Sequence, residues 1–385
     1  MLCRAGARQI AEAVLAGIRF TSARTPLRVA ARALGAAFAL ATALLWPALT
    51  GAAAAATTSG SAAVVAPAWA YPVDPPPAAA TRPGPDATTP LGVPHSGVTF
   101  TAAQIADLYA VPDWHPDGHP PMPQVVAHGR RPAVYACGYC HLADGSGRPE
   151  NAPLAGLPAA YIVAQMAAFR SGTRRSAWTG PQLPAELMRK VAAAVTDEEV
   201  AVAAAYFASL GIKRRVEVVE TRRVPRTRVA GWLYVVSEGS GLEPLGERII
   251  EVALDHERHE LRDPATGYRA YVPRGSVAHG RTIALRGVDG PATACTACHG
   301  ADLRGSDPVP PLAGRSPSYL LRQLLAFRSG ARATDAGQPM QPIVQRLGLG
   351  EMIAVAAYVA AQPPCATGRC RSWTLAARPA TTRRG

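Results

Sequence analysis

Cysteine is scarce in this 385-residue chain, with seven residues, too few for a fold held together by disulfides. Acidic side chains are short as well: 27 stand against 40 lysines and arginines, for a formal net charge of +13. A surface of that sign steers acidic proteins or anionic membrane surfaces. Nucleic acid is excluded as the partner, because the basic clusters at Lys213-Arg214-Arg215, at Arg222-Arg223 and in the tail come with no recognition motif. Methionine is rarer still, six residues in all, so few thioethers can serve any metal.

A twin-arginine pair is missing near the start, which favours export of an unfolded chain. Residues 1 to 32 carry six arginines and one glutamate, and residues 33 to 56 are almost entirely apolar. Small-residue sites follow at Ala54-Ala55-Ala56 and Ala68-Trp69-Ala70. This is the pattern of a signal peptide, or of an uncut segment that tethers the protein to the membrane. Either way it predicts a periplasmic location for the rest.

Four of the seven cysteines lie in two pentapeptides, Cys137-Gly-Tyr-Cys140-His141 and Cys295-Thr-Ala-Cys298-His299. C-x-x-C-H is the haem c attachment signature. Each thiol forms a thioether with a haem vinyl group, and the adjacent histidine gives an axial nitrogen to the iron. On a helical turn the three side chains share one face. One such pentapeptide alone could be half a zinc site or a redox dithiol. Cys3 falls in the presequence, and Cys365 and Cys370 suit a small disulfide in the tail, which an oxidising compartment allows.

The flanks argue for haem. At an offset of 158, Pro153-Leu154-Ala155-Gly156 matches Pro311-Leu312-Ala313-Gly314, Tyr161 matches Tyr319, Gln165 matches Gln323, and Ala168-Phe169-Arg170-Ser171-Gly172 matches residues 326 to 330. At 152, Met188 matches Met340, Glu199 matches Glu351 and Tyr206 matches Tyr358; at 151, Val126 to Arg130 matches Val277 to Arg281. The chain therefore contains an internal duplication whose length changes fall in loops.

An electron-carrying haem iron needs a sixth ligand, and a methionine sulfur there raises the potential. Met188 and Met340 are the candidates, each 18 residues before a repeated tyrosine. Met166 is matched by Leu324 and Met352 by Val200, which marks both as space-filling. Met122 has no counterpart. His128 and His279 also recur and are the rival ligands.

On these residues the chain resembles tandem class I cytochromes c, and specifically the dihaem cytochrome c4-like group, over about residues 120 to 211 and 275 to 363. The resemblance implies a mainly α protein: two tandem cytochrome c-like helical domains joined by a small β-containing insertion, with two covalently bound haem c groups. It implies that Pro153 and Pro311 offer their carbonyls to the axial histidines, and that first and last helices cross at Gly129 with Tyr206 and at Gly280 with Tyr358. It also places Tyr161 and Tyr319 near the haem propionates.

The domain boundaries expected are an export segment or anchor at 1–70, a Pro/Ala-rich tether at 71–98, a first cytochrome c domain at 99–210, a linker at 211–275, a second domain at 276–364 and a basic tail at 365–385. The linker is unlike the short c4-type connection. Its β-former runs, Val216 to Glu220, Gly231 to Val236 and Ile249 to Val252, predict three or four strands and put a direct meeting of the two haem domains in doubt. Thr101 is a helix cap for a stretch running to Ala110, and Trp114 to Pro121 reads as a rigid covering loop. The function implied is electron transfer without bond chemistry, from a dehydrogenase to a terminal oxidase or another cytochrome. The alternatives are a dihaem peroxidase with one open iron, or a tethered subunit of a membrane complex.

Overall fold

The computed structural model describes residues 66–73 and 88–364. The expected export segment or anchor as far as residue 65, most of the expected tether, and Cys365 with Cys370 lie outside the described residues. Among the described residues no helix is long and apolar enough to cross a membrane.

The first repeat contains α1 (Gln124–Ala127), α2 (Cys137–His141), α3 (Ala159–Ser171), α4 (Leu183–Ala194) and α5 (Asp197–Ser209). Helix α5 begins at a reciprocal cap: Glu199 N donates to Thr196 Oγ1 at 3.2 Å and Thr196 N donates to Glu199 Oε2 at 2.9 Å. Three acidic residues in its first turn suit the helix dipole. Helix α3 stops at Gly172, whose φ of 77° other residues rarely adopt. Val126, Val134, Ile162, Ala204 and Phe207 form the core between these helices.

A five-stranded sheet follows, made of β1 (Val216–Glu220), β2 (Thr227–Ala230), β3 (Leu233–Val236), β4 (Ile250–Ala253) and β5 (Tyr268–Val272), in the order β1-β5-β4-β3-β2. A short helix α6 (His256–Glu260) and a two-stranded ribbon, Arg223–Pro225 with Leu242–Pro244, complete the insertion. The expectation of three or four strands fell short, because several strands are only three or four residues long and show too little alternation to read.

The second repeat has α7 (Ser276–Arg286), α8 (Cys295–His299), α9 (Pro317–Arg328), α10 (Met340–Val344) and α11 (Leu349–Ala361). Helix α11 is apolar almost all round, and nine consecutive residues from Met352 to Ala360 are buried. It crosses α7 at Gly280, where a Cβ would lie 1.9 Å from Ala354 O and 2.9 Å from Tyr358 Cβ. The expected pairing of Gly280 with Tyr358 is therefore present.

The corresponding pairing of Gly129 with Tyr206 is not. Gly129, at φ +61°, closes a turn, and a Cβ there would meet Val134 O at 2.2 Å. Pro132 rules out a helix of the same length here, because it disfavours helix at Arg131 and lacks an N–H; α1 ends after one turn, at Ala127, where α7 runs for three. Tyr206 instead donates to Ala143 O at 2.6 Å.

The insertion touches both repeats. Lys213 Nζ donates to Asp144 Oδ2 at 2.9 Å and Arg215 Nη1 to Gly147 O at 2.9 Å. On the other side Ser316 Oγ donates to Glu251 Oε2 at 2.7 Å. Thr101 does cap a helix, but only over Ala102–Ala106. Trp114 is buried and donates from Nε1 to Leu261 O at 2.6 Å, which pins the covering loop to the insertion. Ala66, Ala70 and Tyr71, on either side of the expected boundary at residue 70, sit in the core of the second repeat.

Candidate haem sites

Each pentapeptide forms one helical turn, α2 and α8. None of their four cysteines is in a disulfide. Burial pushes the Cys137 thiol up to about 12 and that of Cys295 up to about 11.

His141 Nδ1 lies 2.7 Å from Ala152 O and His299 Nδ1 lies 2.9 Å from Pro310 O. A carbonyl only accepts, so Nδ1 carries the hydrogen and Nε2 keeps a lone pair for a metal. Burial holds both imidazoles below their usual protonation range, the neutral form a ligand requires. The expected carbonyls were those of Pro153 and Pro311, and this is corrected: the residue one position earlier accepts in each copy. A residue preceding proline is held extended, which turns its own carbonyl toward the ring. The carbonyls of Pro153 and Pro311 face away and accept from Arg315 instead.

A cavity of about 600 Å³ opens in front of α2, lined by Cys137, Cys140, His141, Met166 and Met188 among mostly apolar side chains. That volume is typical of a site for an extended organic ligand, about 300–1,000 Å³. Met188 on α4 thus shares the cavity with His141. Met340, at the start of α10, is half-buried against the core cluster that also carries Cys295. Met352 is wholly buried in the core, and Met122 packs against the first core. His128 and His279 are exposed, and neither lines this cavity.

A repeated arginine holds each methionine helix in place. Arg170 donates to Ala192 O at 3.0 Å and Val195 O at 2.9 Å, at the end of α4. Arg328 donates to Val344 O at 3.1 Å and also to Leu347 O, at the end of α10. A cation suits a helix C-terminus and its unpaired carbonyls. The duplication had marked both arginines, but not what they bind.

The two repeats meet directly, against the doubt raised by the long linker. Arg332 Nη2 donates to Tyr161 OH at 2.6 Å, and Arg174 Nη2 donates to Tyr319 OH at 3.2 Å. Gln165 Oε1 accepts from both arginines at 2.9 Å, and Gln323 Oε1 from the same two at 3.2 and 3.1 Å. Backbone bonds run alongside, Arg175 N to Ala331 O and Ala333 N to Thr173 O.

Both guanidiniums are buried and neither forms an ion pair among the described residues, while Arg332 Nε has no hydrogen-bond partner. Burial raises the Tyr161 phenol, but the two arginines outweigh it and hold it below its usual range. Buried cations in that state call for anions. Tyr161, Gln165, Arg174, Tyr319 and Gln323 all line the cavity, so the carboxylates of a haem would supply the missing charge. With two thiols, a correctly tautomeric histidine and an apolar wall, the residues fit haem c.

Comparison with known proteins agrees. The sequence model of the family described as "Cytochrome c" matches residues 126–211 and 285–362. The chain is similar to a "Thiosulfate dehydrogenase electron acceptor" of Stutzerimonas stutzeri (strain A1501), 29% identical over 60% of this chain and 81% of that protein. A cytochrome c4 of Azotobacter vinelandii is 26% identical over 58% of this chain and 82% of its own length. Cytochrome c-554(548) of Halomonas halodenitrificans (strain ATCC 12084 / NCIMB 8669) is 38% identical over 18% of this chain and 83% of its own length. With its duplicated attachment turns, the chain belongs to the cytochrome c family, as a dihaem, cytochrome c4-like electron-transfer protein with two covalently bound haem c groups.

Proposed function

We propose that the protein is a periplasmic electron carrier that accepts electrons from a dehydrogenase and passes them to a terminal oxidase or another cytochrome. In this reading His141 with Met188, and His299 with Met340, are the axial pairs, and both irons are six-coordinate. The observation that carries it is the shared cavity of His141 and Met188, with His128 and His279 on the outer surface. A closed coordination sphere moves electrons and leaves no position for a substrate. The name of the Stutzerimonas stutzeri relative supports a dehydrogenase as donor, with thiosulfate oxidation the first reaction to try.

The exposed attachment edge is that of the second copy: Ala297 and Cys298 are exposed, whereas Gly138 and Tyr139 are buried. Arg262 of the insertion covers the first, its guanidinium 3.7 Å from the Tyr139 ring centre and donating to Tyr139 O at 3.1 Å. A small exposed edge suits a transient redox encounter.

Absorbance spectra of the oxidised protein test the ligands. A methionine–iron charge-transfer band is expected from both haems, and each of Met188→Ala and Met340→Ala should remove half of it. If neither substitution changes the spectrum, the axial assignment fails. Stopped-flow mixing with a thiosulfate dehydrogenase and thiosulfate tests the donor, with haem reduction no faster than by thiosulfate alone as the adverse result. Recovery in a periplasmic extract tests the location.

A further inference from the structure

Arg315 is 4% exposed, and its guanidinium spans the two repeats. Nε donates to Pro311 O at 2.7 Å, Nη1 to Pro153 O at 2.7 Å and Nη2 to Ala155 O at 3.1 Å. Pro153 follows Ala152, whose carbonyl fixes His141; Pro311 follows Pro310, whose carbonyl fixes His299. One side chain is therefore one peptide away from both histidine anchors. The duplication does not supply it, because the matching position of the first copy is Leu157.

Arg315 forms no ion pair among the described residues. The groups that act on its charge are the phenols of Tyr319 and Tyr161, and burial pulls its pKa down to about 10. It stays a cation at neutral pH, held by three backbone carbonyls. Charge in such surroundings acts over longer distances than charge in water.

We propose that Arg315 is a shared positioning residue, which locks the two histidine-anchoring loops together and raises the reduction potentials of both haems as one buried positive charge. The inference rests on both haems being bound, and it goes beyond the choice of axial ligands or partners. An oxidised iron carries one more positive charge than a reduced one, so a nearby buried cation disfavours oxidation. Because the guanidinium binds both loops, its removal reaches both irons.

The test is a spectroelectrochemical titration of the full-length dihaem protein against Arg315→Gln and Arg315→Lys. Glutamine keeps an amide donor without the charge, and lysine keeps the charge without the planar fork. Arg315→Gln is expected to lower both midpoint potentials while the oxidised spectrum, which reports the axial ligands, stays as in the parent. Arg315→Lys should leave both potentials near the parent values even where chemical denaturation shows lost stability. The proposal is overturned if Arg315→Gln loses stability with both potentials unmoved, if only one haem shifts, or if the lysine variant falls as far as the glutamine variant. Should Arg315→Gln fail to accumulate with two haems, Arg315→Leu, the residue of the first copy, is read by the same criteria. An altered ligand band in Met188→Ala or Met340→Ala is a separate result, so failure here and failure of the axial assignment are told apart.

Discussion

The two copies of one sequence motif have been given different surroundings. From Gly138 to Pro149 most of the first copy is buried; over the matching residues 296 to 307 only His299 and Leu303 are. Asp144 and Asp302 are the same residue of the duplication. Asp144 is buried and bonded to Lys213, while Asp302 lies at the surface beside Arg304. The insertion and the segment ahead of the first repeat make the difference, since Lys213, Arg215, Arg262 and Leu108 all reach the first copy. Haem attachment chemistry needs only the turn and its histidine anchor. What covers that turn is free to diverge.

Four experiments can break or sharpen the contrast. The largest effect is expected from removing the attachment thiols. Cys137→Ser with Cys140→Ser, and Cys295→Ser with Cys298→Ser, should each lower the mass of the mature protein by one of its two haems. The first pair should cost more thermal stability, because the first cavity is walled by both repeats and the insertion. Equal losses would break the comparison.

Gly280→Ala comes next. Its Cβ would meet the backbone of α11, so a loss of about 3 kcal/mol is expected in chemical denaturation. A loss below about 1 kcal/mol would mean that the crossing of α7 and α11 can open.

Asp144→Asn should cost about 2 kcal/mol, the range for losing hydrogen bonds to a buried charge, and Asp302→Asn less than about 0.5 kcal/mol. Burial raises the Asp144 carboxyl, but Lys213 and Arg215 outweigh it and hold its pKa below the usual value. Its contribution is therefore complete above the unfolded pKa of about 4 and is lost as pH falls through the lower folded value. Asp144→Asn should flatten that acid limb. The smallest effect is at the caps. Thr196→Ala should cost about 1 kcal/mol, and Thr196→Gly, which copies Gly348 of the second repeat, only a few tenths.

Legibility in the sequence followed the range of the interaction. The attachment turns, the Glu199 and Glu351 positions and the Gly280 crossing are set by residues close in sequence or by a repeat, and they could be read. The Gly129 error came from treating matching letters as matching structure, when Pro132 rules out a first helix as long as its counterpart in the second repeat. The burial of Arg174, Arg315 and Arg332 could not be read, since nothing local says that a guanidinium is buried or which distant group it binds. Arg174 and Arg332 do stand 158 apart, at the repeat offset, and that was the available signal. The histidine carbonyl was missed by one residue, a distance that alignment does not resolve and a hydrogen bond does.

The short segment from Ala66 to Tyr71, ahead of the first repeat, packs into the core of the second. Arg322 Nη1 donates to Ala70 O across 252 residues, and Tyr234 OH donates to Trp69 O at 2.9 Å. These contacts cannot form until nearly the whole chain has been made, so this segment must wait unpaired for the second repeat. Closing so wide a loop is entropically slow. A cut just after Ala70 would strip most of this seam from the finished molecule.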